Sequence, residues 1–272
     1  MLTVDTLNQI IAHALAATQR NLGTDTPSIM LPEHYSVQSL EHLQADRARF
    51  RGALSTESLD DFCKYVADRS TKENTTSAFI HAPTMSCKAF FNLGTEQAPG
   101  HGDHTASLIL KPTAAYTALN AIAGEKLSQQ ALAEWIEDWN THLVVLGKQG
   151  EEIAVAAAVQ KIRTITIKAT AERTNSENDF SANRSSMDSI EAAHAEQQPK
   201  DLLFTFAPYE GLQERTFCLR LSIITGDKPM LKPRWVQQEQ QQEDIAQEFK
   251  KTLISEIGGL ASITIGTFTP GK

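Results

Sequence analysis

Cysteine is scarce in this chain: Cys63, Cys87 and Cys218 stand far apart in 272 residues, with no CxxC pair among them. That excludes a disulfide framework and a paired-cysteine zinc site, and an odd, sparse set reads as reduced thiols in a cytosolic compartment. Cys63 falls on the apolar face of an expected helix and Cys218 inside an expected strand, so both read as small buried hydrophobes rather than nucleophiles. Basic charge is also short, 25 Lys+Arg against 33 Asp+Glu, for a formal net charge of -8. A generic nucleic-acid binder shows a basic face, so this balance disfavours one while leaving room for a local basic groove. Long apolar runs are missing too; none approaches the ~18 residues that span a bilayer. The opening MLTVDTLNQIIAHALAATQRN lacks the basic n-region of a signal peptide, and its apolar residues are spaced. A soluble, intracellular protein without membrane contact is expected. There is also no GxGxxG, no phosphate loop ending in GK[ST] and no GxSxG elbow. Dinucleotide, nucleotide and serine-hydrolase machineries therefore find no anchor, and none of their cofactors is expected.

What is present is alternation in blocks. Val4, Leu7, Ile11, Ala14 and Leu15 keep helical spacing over residues 4–20. Short strands are expected around 35–43 and 50–54. Ser58 followed by Asp61 is a capping pair, and Leu59, Phe62, Cys63 and Val66 line one face of the helix it opens. The runs SAFIHA (77–82), CKAFFNL (87–93) and TASLILK (105–111), joined by Pro/Gly loops, read as an antiparallel meander. Helices follow from Pro112-Thr113 to about Ile122 and over 127–143, where Leu127, Ala131, Trp135, Trp139 and Leu143 recur every four residues. The tryptophans there read as helix-packing contacts. An alanine-rich helix is expected at 151–162, and an extended hairpin with a polar tip at 163–195. Three strands come next, LLFTFAPYEGL, TFCLRLSII and KPMLKPRWV, with a turn at 226–228 between the last two. A helix then repeats Ile245, Phe249, Leu253 and Ile257, and SITIGTF closes as a strand. Strands in blocks predict an α+β fold, mainly antiparallel, with flanking amphipathic helices and one long hairpin, in a single composite domain.

The densest set of candidate ligands is Pro99-Gly100-His101-Gly102-Asp103-His104. Two imidazoles and a carboxylate suit a divalent metal such as zinc, with His81 and Cys87 on neighbouring strands as further donors. The plainer reading is a strand connection: proline and glycines make the bend, Asp103 caps an amide and the histidines face water. For nucleic acid the local candidates are Arg47, Arg49 and Arg51, with Phe180 and Arg184 in the polar loop, since basic residues interleaved with an aromatic grip single strands.

Several ordered blocks carry a resemblance: FIHAPTMSCKAFFNLGTEQAPGHGDHTASLILKPTAAY, LAEWIEDW, DFSANRSSMDSIEA, FAPYEGLQERTFCLRLSI, EDIAQEF and the terminal IGTF. Together they resemble the YfdQ-like family of uncharacterised phage and prophage proteins, over nearly the whole chain. The resemblance implies a bacterial cytoplasmic setting and a phage or prophage accessory role; it carries no catalytic residue. The expectation is a protein that acts by binding and by self-association into a homo-oligomer, in phage DNA metabolism or counter-defence, with a phage or host protein as partner. Two alternatives stand beside it. One is a metal-dependent hydrolase using His101, Asp103 and His104; the other is a shell-forming or virion-associated subunit.

Overall fold

A computed structural model describes residues 3–18, 41–70, 76–165, 198–224 and 229–271. Two compact units emerge, residues 1–50 and residues 51–272. In the first, α1 (Val4–Thr18) bears out the expected helix, and Glu41–Leu43 forms a single 3₁₀ turn where a strand end was expected. The Glu41 carboxylate accepts from the Ala48 amide at 3.1 Å and holds the chain bent there.

The second unit opens with β1 (Gly52–Thr56), α2 (Leu59–Arg69), β2 (Thr76–His81), β3 (Ser86–Phe90) and β4 (His104–Ile109). Then come α3 (Ala114–Ile122), β5 (Leu127–Ser128), α4 (Gln129–Asp138), β6 (Leu143–Leu146), β7 (Glu152–Ile153) and α5 (Val155–Arg163). It continues with β8 (Asp201–Phe206), β9 (Arg215–Ile224), β10 (Met230–Trp235), α6 (Gln238–Ile257) and β11 (Ala261–Ile265). The helix starts are chemical. Ser58, Thr113 and Ser128 each accept a hydrogen bond from the amide three residues on, using one of the orphan donors of a helix N-terminus.

Two sheets result, and the fold is α+β as expected. The first has the order β1-β4-β3-β2-β11, with β2, β3 and β4 as the expected antiparallel meander and parallel strands β1 and β11 at its edges. The second is fully antiparallel, β5-β10-β9-β8-β6-β7. Alternation sorts each sheet into an inner and an outer face. Inner residues of the first, Ala78, Ile80, Cys87, Ala89, Ala106 and Leu108, are buried against α2 and α6. Inner residues of the second, among them Leu202, Phe204, Phe217 and Leu219, meet α3 and α4: Tyr116 packs on Phe217, and Trp135 and Trp139 stand edge-on to Phe204 at 5.1 and 5.6 Å. One continuous apolar core joins the two. Glu248 on α6 ties that helix to β9 by accepting from Arg215 and from the Gln213 amide.

Some expectations are corrected. The four-residue repeat from 127 to 143 does not make one helix: Ser128 caps α4, which ends at Asp138, and Leu143 already belongs to β6. The buried side of α4 is Leu132, Ala133 and Ile136. The start of the alanine-rich helix yields to β7, so α5 begins at Val155. The strand expected through Phe268 stops at Ile265. Residues 166–195 of the expected hairpin, and the turn at 226–228, lie outside the described residues.

Candidate functional site

The PGHGDH segment is built by backbone necessity. A Cβ at Gly100 would fall 2.1 Å from the Asn92 carbonyl oxygen, and one at Gly94 would fall 2.2 Å from that of Ala98. Glycine is thus required for the chain to double back. The Gly100 amide donates to the Leu93 carbonyl at 2.8 Å and the Gly102 amide to that of Asn92 at 3.1 Å. Gly102 takes a positive φ of 62°. The Asn92 side chain then clamps the return, donating to Asp103 Oδ1 at 2.8 Å and accepting from the His104 amide at 3.0 Å.

The three candidate ligands are not brought together. His101 is exposed, Asp103 is half-buried on Asn92, and His104 is buried as the first residue of β4. The His104 ring lies 4.5 Å from that of Phe91, and its Nε2 is 3.3 Å from the Tyr65 hydroxyl on α2. Burial pushes the His104 pKa below its ordinary value, and the Arg69 cation pushes the same way against the opposing pull of Asp103. The contact with Tyr65 pins β4 to α2. Among the described residues no group of three His, Cys, Asp or Glu side chains is placed to hold a metal ion. Cys87 faces the core opposite Ile80, away from His81, which is itself bonded to Thr84 at 2.6 Å. Burial raises the Cys87 thiol to about 12 and the Cys63 thiol to about 11. Neither is a thiolate near neutral pH.

Of the nucleic-acid candidates, Arg47 and Arg49 fall in the first unit and Arg51 opens the second, while Phe180 and Arg184 lie outside the described residues. A groove of about 660 Å³ opens beside α4 and α5, with Val155, Val159 and Gln160 on its wall and the exposed pair Arg163–Glu137 across it. Among the described residues, no cysteine, histidine or serine lines it.

The feature that motif reasoning missed is the outer face of the first sheet. In register across it stand Ser55, Ser107, Lys88, Phe79 and Thr264, and in the next row Ala53, Thr105, Phe90, Ser77 and Ser262. No outward strand position of this sheet carries Asp or Glu. Past β11 the backbone turns at Gly266 (φ 136°), whose amide donates to Ile80, and comes back over the strands. Phe268 stacks on Phe79 at 4.7 Å and meets Phe90 edge-on at 5.6 Å. Pro270 lies beside the histidine-bearing turn, where a Cβ on Gly102 would be 3.4 Å from its Cγ. The interior glycine after Ile265 was the available signal, because a lone Gly in a strand pattern marks a bend.

Against known proteins, a family model described as an uncharacterized conserved protein, DUF2303, matches residues 3–268. No curated protein and no solved structure matches the chain.

Proposed function

The chain belongs to that uncharacterized conserved family, and from this premise we propose that it is a self-associating binding protein, an accessory protein of a phage or prophage, rather than an enzyme. The observation that carries the assembly is α1. Val4, Leu7 and Ile11 are 74%, 51% and 48% exposed, and with Ala14 they are spaced alternately three and four residues apart. That spacing is a coiled-coil seam, which takes an equal helix as its partner. The helix carries little charge against a copy of itself: one carboxylate, Asp5, and neither Lys nor Arg. A second copy of this chain is therefore the occupant proposed for the seam.

The magnitude follows from its length. Each large apolar side chain fully withdrawn from water is worth about 1.5–3 kcal/mol. Association costs on the order of 4–15 kcal/mol before any contact is counted. A seam of 15 residues therefore gives concentration-dependent assembly rather than a permanent dimer. Light scattering on the untagged full chain tests this. The mass should climb above 29.9 kDa between micromolar and near-millimolar protein, and Leu7→Ser/Ile11→Ser should hold it there. A monomer throughout, or a double variant that assembles as the parent does, overturns the proposal. Among the described residues no helix is long and apolar enough to cross a membrane.

A further inference from the structure

The outer face of the first sheet stands independently of α1 and asks for its own ligand. Stacking on Phe79 uses one face of the Phe268 ring, yet the residue keeps 38% of its surface in water. Phe90 is fully buried beneath this cover while lying outside the central core. The Lys88 amine stands 5.0 Å from the Phe90 ring centre. An aromatic ring is thus held half-exposed by two others, with a cation and hydroxyls around it.

We propose that this face binds single-stranded nucleic acid, with a base stacked on Phe268 and a backbone phosphate paired with Lys88. Every base has a π-face, so one pre-positioned ring serves any sequence, and a lysine beside it follows the phosphates. Ser107 neighbours Lys88 in the same row, and Thr264 neighbours Phe79; their hydroxyls can donate to phosphate or base edges. The outward strand positions set no Asp or Glu beside Lys88, so a phosphate there meets a cation without a carboxylate in register. A flat ring on a sheet reaches only unpaired bases, so duplex is excluded by geometry. A second copy is a poorer occupant, because Phe268 and, on the far side of the Lys88 row, Ile109 offer little apolar area to bury.

Fluorescence anisotropy with labelled oligothymidylate, oligouridylate and a DNA duplex of equal length, at low salt, tests the proposal on the full chain. Both single strands should bind in the micromolar range and the duplex at least tenfold more weakly. Phe268→Leu keeps an apolar cover on Phe79 and Phe90 but loses the stack, and should weaken binding from several-fold to about 100-fold. Lys88→Gln should reduce the slope of log affinity against log salt by about 0.7, the share of one phosphate contact on a single strand. Arg234→Gln, on the other sheet, should change nothing. If Phe268→Leu proves unstable by circular dichroism, the salt slope of Lys88→Gln decides alone. The proposal is overturned if neither single strand binds at near-millimolar protein, if duplex binds equally well, or if Phe268→Leu and Lys88→Gln both bind as the parent does. Repeating the titration with Leu7→Ser/Ile11→Ser separates this site from assembly, since the single-strand affinity should survive in a monomer.

Discussion

Across the outer face of the first sheet one row reads Ser55, Ser107, Lys88, Phe79 and Thr264; across that of the second, one row reads Glu152, Leu146, Asp201, Arg220 and Arg234. Both faces come from the same strand alternation over the same core. The second sets charge against charge: Asp201 bonds Arg220 at 2.9 Å, which raises the Arg220 pKa, and Arg234 stands on the other side of Arg220. The first has no carboxylate to settle with, and spends its apolar residues on a ring cluster that a returning segment covers. One row meets its central cation with a carboxylate, and the other leaves Lys88 with no carboxylate in register.

The largest expected effect lies inside the second sheet. Phe204 is fully buried among Trp135, Trp139 and Phe206 on the inner face of the second sheet. Phe204→Ala should cost about 3–5 kcal/mol, because a packed core collapses only partly around the void. Phe90 is equally buried, but its cover is one segment and a lysine side chain that can settle inward. Phe90→Ala should therefore cost clearly less than Phe204→Ala in chemical denaturation. Equal costs would mean that the ring cluster is an ordinary second core, and the open face would lose its meaning.

Next in size is the clamp at the end of the first sheet. Asn92→Ala removes the donor to Asp103 and the acceptor for the His104 amide together. The two hydrogen bonds together are worth about 1–3 kcal/mol. Thermal or urea unfolding should show a loss in that range, with the binding of Leu7 and Ile11 seams unaffected.

How much of this was legible beforehand depends on the range of the interactions. The meander of β2, β3 and β4 and the face of α6 follow from residues two and four apart, and the capping side chains of Ser58 and Thr113 mark helix starts locally. The edges of the first sheet do not: β1 pairs with β4 and β11 with β2 in parallel, across long separations that no local pattern encodes. Strands of two residues, β5 and β7, are too short for any periodicity, and so a four-residue repeat runs on past the true end of α4. At the site, the glycines and proline announced the bend in PGHGDH. They could not announce that Asn92 closes it, that His104 turns inward to Tyr65, or that Pro270 arrives beside Gly102.

Acid should then strike the first sheet selectively. The folded His104 has a pKa below its ordinary 6.5, so the unfolded chain binds a proton more readily. Stability from this group is fully present above about 6.5 and is lost as pH falls below it toward the folded value. His104→Gln should flatten the dependence of melting temperature on pH between neutral and mildly acidic conditions. A slope unchanged by the substitution would show that the histidine is not what titrates.

The smallest expected effect is on the second sheet, and salt is its probe. Arg234 stands directly opposite Arg220, and like charges in that position repel. Asp201 answers only Arg220, and among the described residues Arg234 has no ion-pair partner. Arg234→Gln should therefore stabilise the chain slightly, by no more than about 0.5 kcal/mol, as expected for an exposed surface position. The gain should vanish at high salt, because exposed charges are screened within a few ångströms there. Lys88→Gln, with no like charge among its neighbours in register, should show no such gain at any salt. If both variants stabilise the protein equally, Lys88 is as crowded by like charge as Arg234, and the electrostatic contrast between the two faces falls.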